Sequence, residues 1–374
     1  HLFDLHLKVK MEDDLALRVG GNVASNGVNQ IYIGATYHNL NYYAKEMSID
    51  GQIGQVYNNL QLAGRMDFPT HLPTSYRFIA SMSSLDYFKQ ERLFTSGNTP
   101  VFNKNKEYFL KLQMSMPFLT SQKAEFSIGV GRLEDQYFQT NVIDFVNDNR
   151  DQSSYNIFGG SVALEGNTLD SRQFATSGRK ERLVANVYTG KEHYKDGVYN
   201  EESPMSKYEY TQSWLQISYE LERYSQLSSQ FTLGQYIHSY YSSRNFSQNY
   251  TATMMQAGTF APTAHSKISY NEAFRANQFI GAGLIPIFKL NSVVQARAEV
   301  YGFMPIFPIM KDEGNKAYYG KTFSKVEYMG QISLVIKLPF GAVSAYVNHY
   351  SSPTKNWNAG LTLGWQLFNS RFIE

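Results

Sequence analysis

The sequence predicts an all-β fold, a transmembrane antiparallel barrel of about sixteen strands with short turns at one end and long loops at the other. Three observations lead there. Apolar residues alternate with small or polar ones at period two in run after run, as expected of strands whose two faces meet different surroundings. From the fourth run on, the connections alternate between short and mostly long, and a soluble sandwich has no reason to sort its loops by end. Charged residues make up 18% and aromatics 15%, with 28 Tyr and 25 Phe, which is little charge and many rings for a soluble domain. Mean hydropathy is nevertheless negative, and no window approaches the roughly 18 apolar residues that a spanning helix needs. A barrel reconciles these facts, because only alternate residues of each strand meet lipid.

Taken in order, Leu5, Leu7, Val9 and Met11 alternate with His6, Lys8 and Lys10 until Glu12-Asp13-Asp14 breaks the run. Residues 1–14 read either as the tail of a small periplasmic, POTRA-like domain or as an unstructured lead-in, and residues 15–374 as the barrel. The chain opens at His1 without Met or a signal peptide, so it is read as a processed or excised fragment. Strands are expected at 15–25, 28–39, 45–55, 59–68, 75–89, 107–118, 124–138 and 155–167. The second half continues at 180–191, 208–223, 230–243, 275–289, 293–305, 325–340, 342–351 and 356–368. Four runs carry the pattern best. Ile31, Ile33, Ala35 and Tyr37 oppose Gln30, Tyr32, Gly34 and Thr36; Tyr108, Leu110, Leu112 and Met114 oppose Lys111, Gln113 and Ser115. Leu215, Ile217, Tyr219 and Leu221 oppose Gln216, Ser218 and Glu220; Tyr328, Ile332, Leu334 and Ile336 oppose Glu327, Gln331, Ser333 and Lys337. A strand of about eleven residues rises roughly 36 Å, or about 28 Å along the membrane normal at a tilt near 40°, enough to cross an outer membrane.

Other classes are disfavoured. No linker or charge block divides the 374 residues, so one architecture is expected rather than several domains. The formal charge of +2 comes with scattered Lys and Arg and no basic stripe, which argues against nucleic acid. There is no cysteine for a disulfide or thiolate site, and the eight His share no short strand row, so neither a metal nor a cofactor is expected. The acidic pairs Asp13-Asp14, Glu201-Glu202 and Asp312-Glu313 fall in the lead-in or in loops, where solvated charge is the default.

The last run, Asn358 to Phe368, sets Leu361, Leu363, Trp365 and Leu367 on one face against Gly360, Thr362, Gly364 and Gln366. The spacing of Asn358, Gly360, Leu363 and Trp365 resembles the C-terminal signal by which Gram-negative assembly machinery recognises outer-membrane barrels. Gly20 and Gly21 on the first strand and Gly360 and Gly364 on the last fall where the barrel must close. They read as a weak, openable seam or as small residues packed in the lumen wall.

Several segments together resemble a known family. They are Val19-Gly20-Gly21-Asn22-Val23-Ala24-Ser25, Asn29 to Gly34, Asn167 to Arg179, and Asn271 to Phe279. They resemble the C-terminal barrel of Bacteroidetes-type patatin-like phospholipase outer-membrane proteins, autotransporter-like members of the sixteen-stranded BamA-like superfamily, over nearly the whole chain. The Asp170 to Gly178 turn is the most specific piece, with Ala175 where the family commonly has proline. The resemblance implies a barrel that anchors, and helps translocate, an N-terminal hydrolase; the Gly-x-Ser-x-Gly of that hydrolase is missing here. It also implies a loop between strands eleven and twelve whose arginine tip folds into the lumen. The corresponding Phe274-Arg275-Ala276-Asn277 lacks the family's glycine and aromatic, so Arg275 reads either as that tip or as an ordinary arginine at the start of strand twelve. As the tip, Arg275 would meet lumen-facing Glu299, Glu327 or both.

A third reading concerns His349-Tyr350-Ser351, since an outer-membrane phospholipase of another barrel family uses a His and a Ser two apart on its lipid face. The orienting group and oxyanion site which that chemistry needs have no counterpart in the sequence. The expected function is therefore anchoring and translocation, with a free-standing porin for small solutes as the alternative and an enzyme at His349 as the third. The implied partners are outer-membrane lipids and lipopolysaccharide, the barrel assembly machinery and the missing hydrolase. Whether the barrel forms a homodimer stays open.

Overall fold

The computed structural model describes residues 14–25, 29–40, 42–88, 101–138, 149–197, 207–339, 341–351, 357–365, 369 and 371–373. Of the expected lead-in at residues 1–14, residues 1–13 lie outside them. Sixteen strands close one antiparallel barrel, each beside its neighbour in sequence. They are β1 (Leu15–Ala24), β2 (Gln30–Leu40), β3 (Ala44–Gly54), β4 (Tyr57–Phe68), β5 (Thr74–Phe88), β6 (Val101–Leu119), β7 (Gln122–Tyr137) and β8 (Asp151–Asn167). Then follow β9 (Gly178–Lys195), β10 (Lys207–Gln226), β11 (Phe231–Ser242), β12 (Gln278–Lys289), β13 (Val294–Pro305), β14 (Glu327–Leu338), β15 (Gly341–Tyr350) and β16 (Trp357–Gly364).

Period two becomes two surfaces. Ile31, Ile33, Leu110, Leu112, Ile332, Leu334, Leu361 and Leu363 are exposed on the outer wall, while Gln30, Thr36, Gln216, Glu299 and Ser333 are buried on the inner. An apolar belt outside with a polar interior makes the chain an integral membrane protein of the outer-membrane barrel type. Aromatic clusters mark both rims. At the short-turn end Tyr43 packs on Phe68 and Phe68 on Tyr76, and at the long-loop end His349 lies between the rings of Tyr328 and Trp357.

The wall is uneven. β6 and β10 have 19 and 20 residues, a rise of roughly 65 Å, so they run well past the apolar belt. β1 and β16 have 10 and 8.

Strand twelve begins later than expected. Arg275-Ala276 pairs with Gly258-Thr259 in a separate two-stranded ladder, and the barrel strand starts at Gln278. A second small ladder joins Ile309–Lys311 to Ala317–Tyr319 in the β13–β14 connection. Two short helices, α1 (Tyr250–Gln256) and α2 (Ala264–Ile268), interrupt the loop after β11.

Candidate functional site

Among the described residues, the seam between β1 and β16 is short. They share three residue pairs, Asn22 with Gly364, Val23 with Leu363 and Ala24 with Thr362, whereas β1 and β2 share eight. Single bonds extend it: Ser25 N–H to the Leu361 carbonyl and Trp365 N–H to the Gly21 carbonyl, each 2.9 Å. Among the described residues, Leu15 to Gly20 have no partner on this side. The cause is local. Gly364 has φ +107°, and a Cβ there would stand 2.1 Å from the Gly21 carbonyl oxygen. Only glycine allows the strand to approach β1 so closely and then turn off.

The four seam glycines therefore differ. A Cβ on Gly21 would meet the Gln30 carbonyl oxygen of β2 at 2.3 Å, so Gly21 is confined by its other neighbour's backbone and Gly364 by backbone across the seam. Gly20 has only the Tyr32 ring at 3.8 Å, an ordinary contact, and Gly360 lies against the ring of Tyr346 on β15. Of the expected assembly-signal residues, Asn358 donates to Asn348 at 3.1 Å inside the wall and Leu363 faces outward. Trp365 is no longer in the strand. The expected continuation of alternation falls on residues 366–368, outside the described residues.

The lumen is occupied from both ends. From the long-loop end, residues 243–277 fold inward and seat Phe260, Phe274 and Ala276 among the inner-wall rings Tyr236, Phe279, Tyr301, Phe303 and Tyr350. Gly281 gives Phe260 its place, since a Cβ there would lie 2.1 Å from that ring. The loop is fastened by polar contacts as well. Asn249 caps α1 through the Ala252 N–H at 2.8 Å, while its amide reaches Tyr137 at 3.1 Å and Asp151 at 3.3 Å on the wall. Thr263 and Ser266 form a capping box on α2, and His265 Nδ1 lies 2.6 Å from the Tyr350 hydroxyl.

Arg275 is buried in this loop, at 7% exposure, with partners other than those expected. Its Nη1 donates to the carbonyls of Met254 at 3.2 Å and Met255 at 3.0 Å, and its guanidinium lies 4.6 Å from the centre of the Tyr270 ring. The last carbonyls of α1 lack intrahelical donors and its last turn has no basic residue, so an arginine brought by the chain's return satisfies them. The expected pairing with Glu299 or Glu327 does not form. Side chains two apart on a strand share a face, so Glu299 is engaged by Arg297 Nε at 3.2 Å and the Tyr301 hydroxyl at 2.8 Å. Glu327 takes Lys325 at 3.1 Å and the Ser351 hydroxyl.

From the short-turn end, residues 168–177 also bend inward. The Asp170 carboxylate accepts from the Thr176 N–H at 2.9 Å, the Thr176 hydroxyl at 2.8 Å and the Ser177 N–H at 3.3 Å. Burial alone would raise this carboxyl, but those donors outweigh it and hold its pKa below the ordinary range. Phe174 adopts φ +57°, which turns the Ala175 carbonyl to Arg297 Nη1 at 2.8 Å and buries Ala175 in the inner core. Residues 369 and 371–373 lie inside the barrel against the wall, with Phe372 buried between Phe109 and Tyr188. Between these fillings remain a cavity of about 550 Å³, bounded by Asp170, Lys180, Glu220, Thr263 and Tyr346, and one of about 230 Å³ beside Arg244, Tyr270 and Arg371.

The His349 and Ser351 pair is not assembled. His349 stacks on Tyr328 and meets Trp357 at a tilt at the outer rim, whereas Ser351, past the strand end, turns its hydroxyl to Glu327 and accepts from the Tyr328 N–H at 3.0 Å. Loss of strand geometry after Tyr350 breaks the parity that would align them. Among the described residues, no group of three His, Asp or Glu side chains is placed to hold a metal ion.

Sequence reading missed the entry of residues 369 and 371–373 into the lumen, because apolar alternation continues past Gly364 and carries no mark of the turn. The helices of the loop had a readable signal in Asn249 and Thr263 before short non-β runs.

No family model matches the sequence, and no curated protein sequence matches it. Among solved structures, the fold is similar to that of BamA from Haemophilus ducreyi lacking POTRA domains 1–3, with a TM-score of 0.61 at 14% identity over 95% of this chain and 70% of that one. CdiB from Acinetobacter baumannii gives 0.48 at 8% identity, over 94% of this chain and 60% of that one. The siderophore receptor PirA from Acinetobacter baumannii gives 0.43 at 10%, over 92% and 63%. The chain thus spans less than two thirds of the latter two. At such identities the likeness concerns the fold, a closed sixteen-stranded BamA-like barrel.

Proposed function

We propose that this barrel anchors an attached patatin-like hydrolase domain, lying outside this sequence, in the outer membrane and helps move it across, rather than serving as a standing pore. The observation that supports this reading most is the filled lumen. A porin keeps a water-filled passage, whereas here an inward loop, an inward turn and residues 369 and 371–373 occupy the interior through buried rings and specific hydrogen bonds. The short seam is in keeping with a barrel that changes shape. The link to a hydrolase rests on the sequence resemblance at Asn167 to Arg179 and Asn271 to Phe279.

Planar-bilayer recording tests the plugged state. The refolded chain is expected to conduct little and erratically, and Arg275→Ala, which removes the donors from the Met254 and Met255 carbonyls, to raise and destabilise the current without loss of the barrel. A large steady conductance in the unaltered chain would favour the porin. The chain itself is proposed to have no ester hydrolase activity, with His349→Ala without effect. Hydrolysis of a phospholipid by the pure chain that disappears in His349→Ala would overturn this part.

A further inference from the structure

Residues 369 and 371–373 meet the inner faces of β4, β6, β7 and β9, strands that reach half-way round the barrel from the seam. Among the described residues, the hydrogen bonds they make are to side chains of the wall. Asn369 N–H donates to the Tyr57 hydroxyl at 3.3 Å and its amide to Asn59 at 2.5 Å. Arg371 Nη2 donates to Asn105 at 3.1 Å, and its Nε lies 3.6 Å from the Glu107 carboxylate. Phe372 is read at three points: its N–H donates to Glu107 at 3.3 Å, its carbonyl accepts from the Tyr188 hydroxyl at 3.0 Å, and its ring sits 5.6 Å from that of Phe109. The floor beneath the ring is β7, where a Cβ on Gly129 would stand 2.7 Å from the Phe372 ring edge and one on Gly131 3.3 Å.

The wall is complete without this segment. β4 to β9 are laddered to one another along their lengths, and the segment adds no strand to them. What it finds is a concave aromatic socket beside a buried carboxylate, with a hydroxyl and amides that fix the direction of a backbone. Those are the elements of peptide recognition, an anchor pocket with flanking groups for charge and main chain. We infer that this wall is a peptide-binding site for a short segment in which an arginine is followed directly by an aromatic residue, and that residues 369 and 371–373 belong to its resident, exchangeable ligand. The site does not depend on whether the barrel translocates a hydrolase.

The test uses the full chain refolded in detergent and a blocked, fluorescent peptide with the sequence of residues 369–373. Phe372→Ala, which empties the socket, is expected to bind this peptide at least tenfold tighter than the unaltered chain, by anisotropy. Adding Glu107→Gln should abolish most of that gain, as should replacing the peptide's own phenylalanine by alanine. Equal binding to the empty and occupied chains, or indifference to the peptide's phenylalanine, overturns the site. Should Phe372→Ala fail to fold, exchange can be read without it, since the chain has no cysteine. With Ile373→Cys as the single thiol, saturating peptide should speed maleimide labelling several-fold; an unchanged rate overturns the proposal.

Discussion

At the residue scale, the parity of each strand decides which solvent a side chain meets, and parity is what a sequence states most clearly. Leu334 is 45% exposed on the outer wall and Ser333, its neighbour, 3% exposed on the inner. A lysine at 334 should cost about 2 to 4 kcal/mol near the bilayer midplane, while a lysine at 333 should cost less, because the lumen is polar. Urea titration of both variants in lipid checks this, and equal cost would put the two residues on the same face. Partnerships were less legible than faces. Arg275 was open between a lumen tip and a plain strand residue, and its acceptors are carbonyls that no residue pattern encodes. Arg297 and Tyr301 beside Glu299 could have been foreseen, since residues two apart on a strand always share a face.

At the scale of elements, all sixteen strands were legible, with discrepancies at their ends that have physical causes. β6 begins at Val101 rather than near 107, because Asn103, Lys104, Asn105 and Lys106 lie where the wall leaves the apolar belt and the alternation loses its contrast. β16 stops at Gly364 although alternation runs on, because the strand ends in a backbone conformation and not in a change of side-chain type. The 168–177 turn makes a prediction of its own. Its Asp170 carboxyl is held below the ordinary range by donors that exist only in the folded turn, so the stabilisation is complete above the unfolded pKa of about 4 and is lost as pH falls through the folded one. Amide protection factors of residues 168–177, which correct exchange for its intrinsic pH dependence, should therefore be high at neutral pH and fall in acid, and in Asp170→Asn they should be low at both. A turn that stays protected in acid would mean that Ala175 and Arg297 hold it without the carboxylate.

At the scale of the whole molecule, the seam is the one junction between strands far apart in sequence. Gly364→Ala would bring a methyl group against the Gly21 carbonyl oxygen at a positive φ, a change expected to cost more than about 1 kcal/mol. The barrel's heat-modified band should then convert at a lower temperature, while Gly20→Ala, whose methyl group would make only an ordinary contact with the Tyr32 ring, should leave that temperature nearly unchanged. Similar shifts for both would remove the special role given to Gly364.

The three-pair seam also has a consequence in chain entropy. Fifteen of the sixteen junctions join neighbours in sequence, so each can form by local zipping, but the last must bring together residues about 340 positions apart. By the logarithmic law for loop closure, that ring costs about 4 kcal/mol more to shut than a short hairpin, and three pairs return little against it. Cross-ties through the interior, running from the β11–β12 loop to β14 and β15 and from Phe372 to β6 and β9, shorten the effective loop before the ends meet. The expected order of events is that the contents take their places first and the circle closes around them.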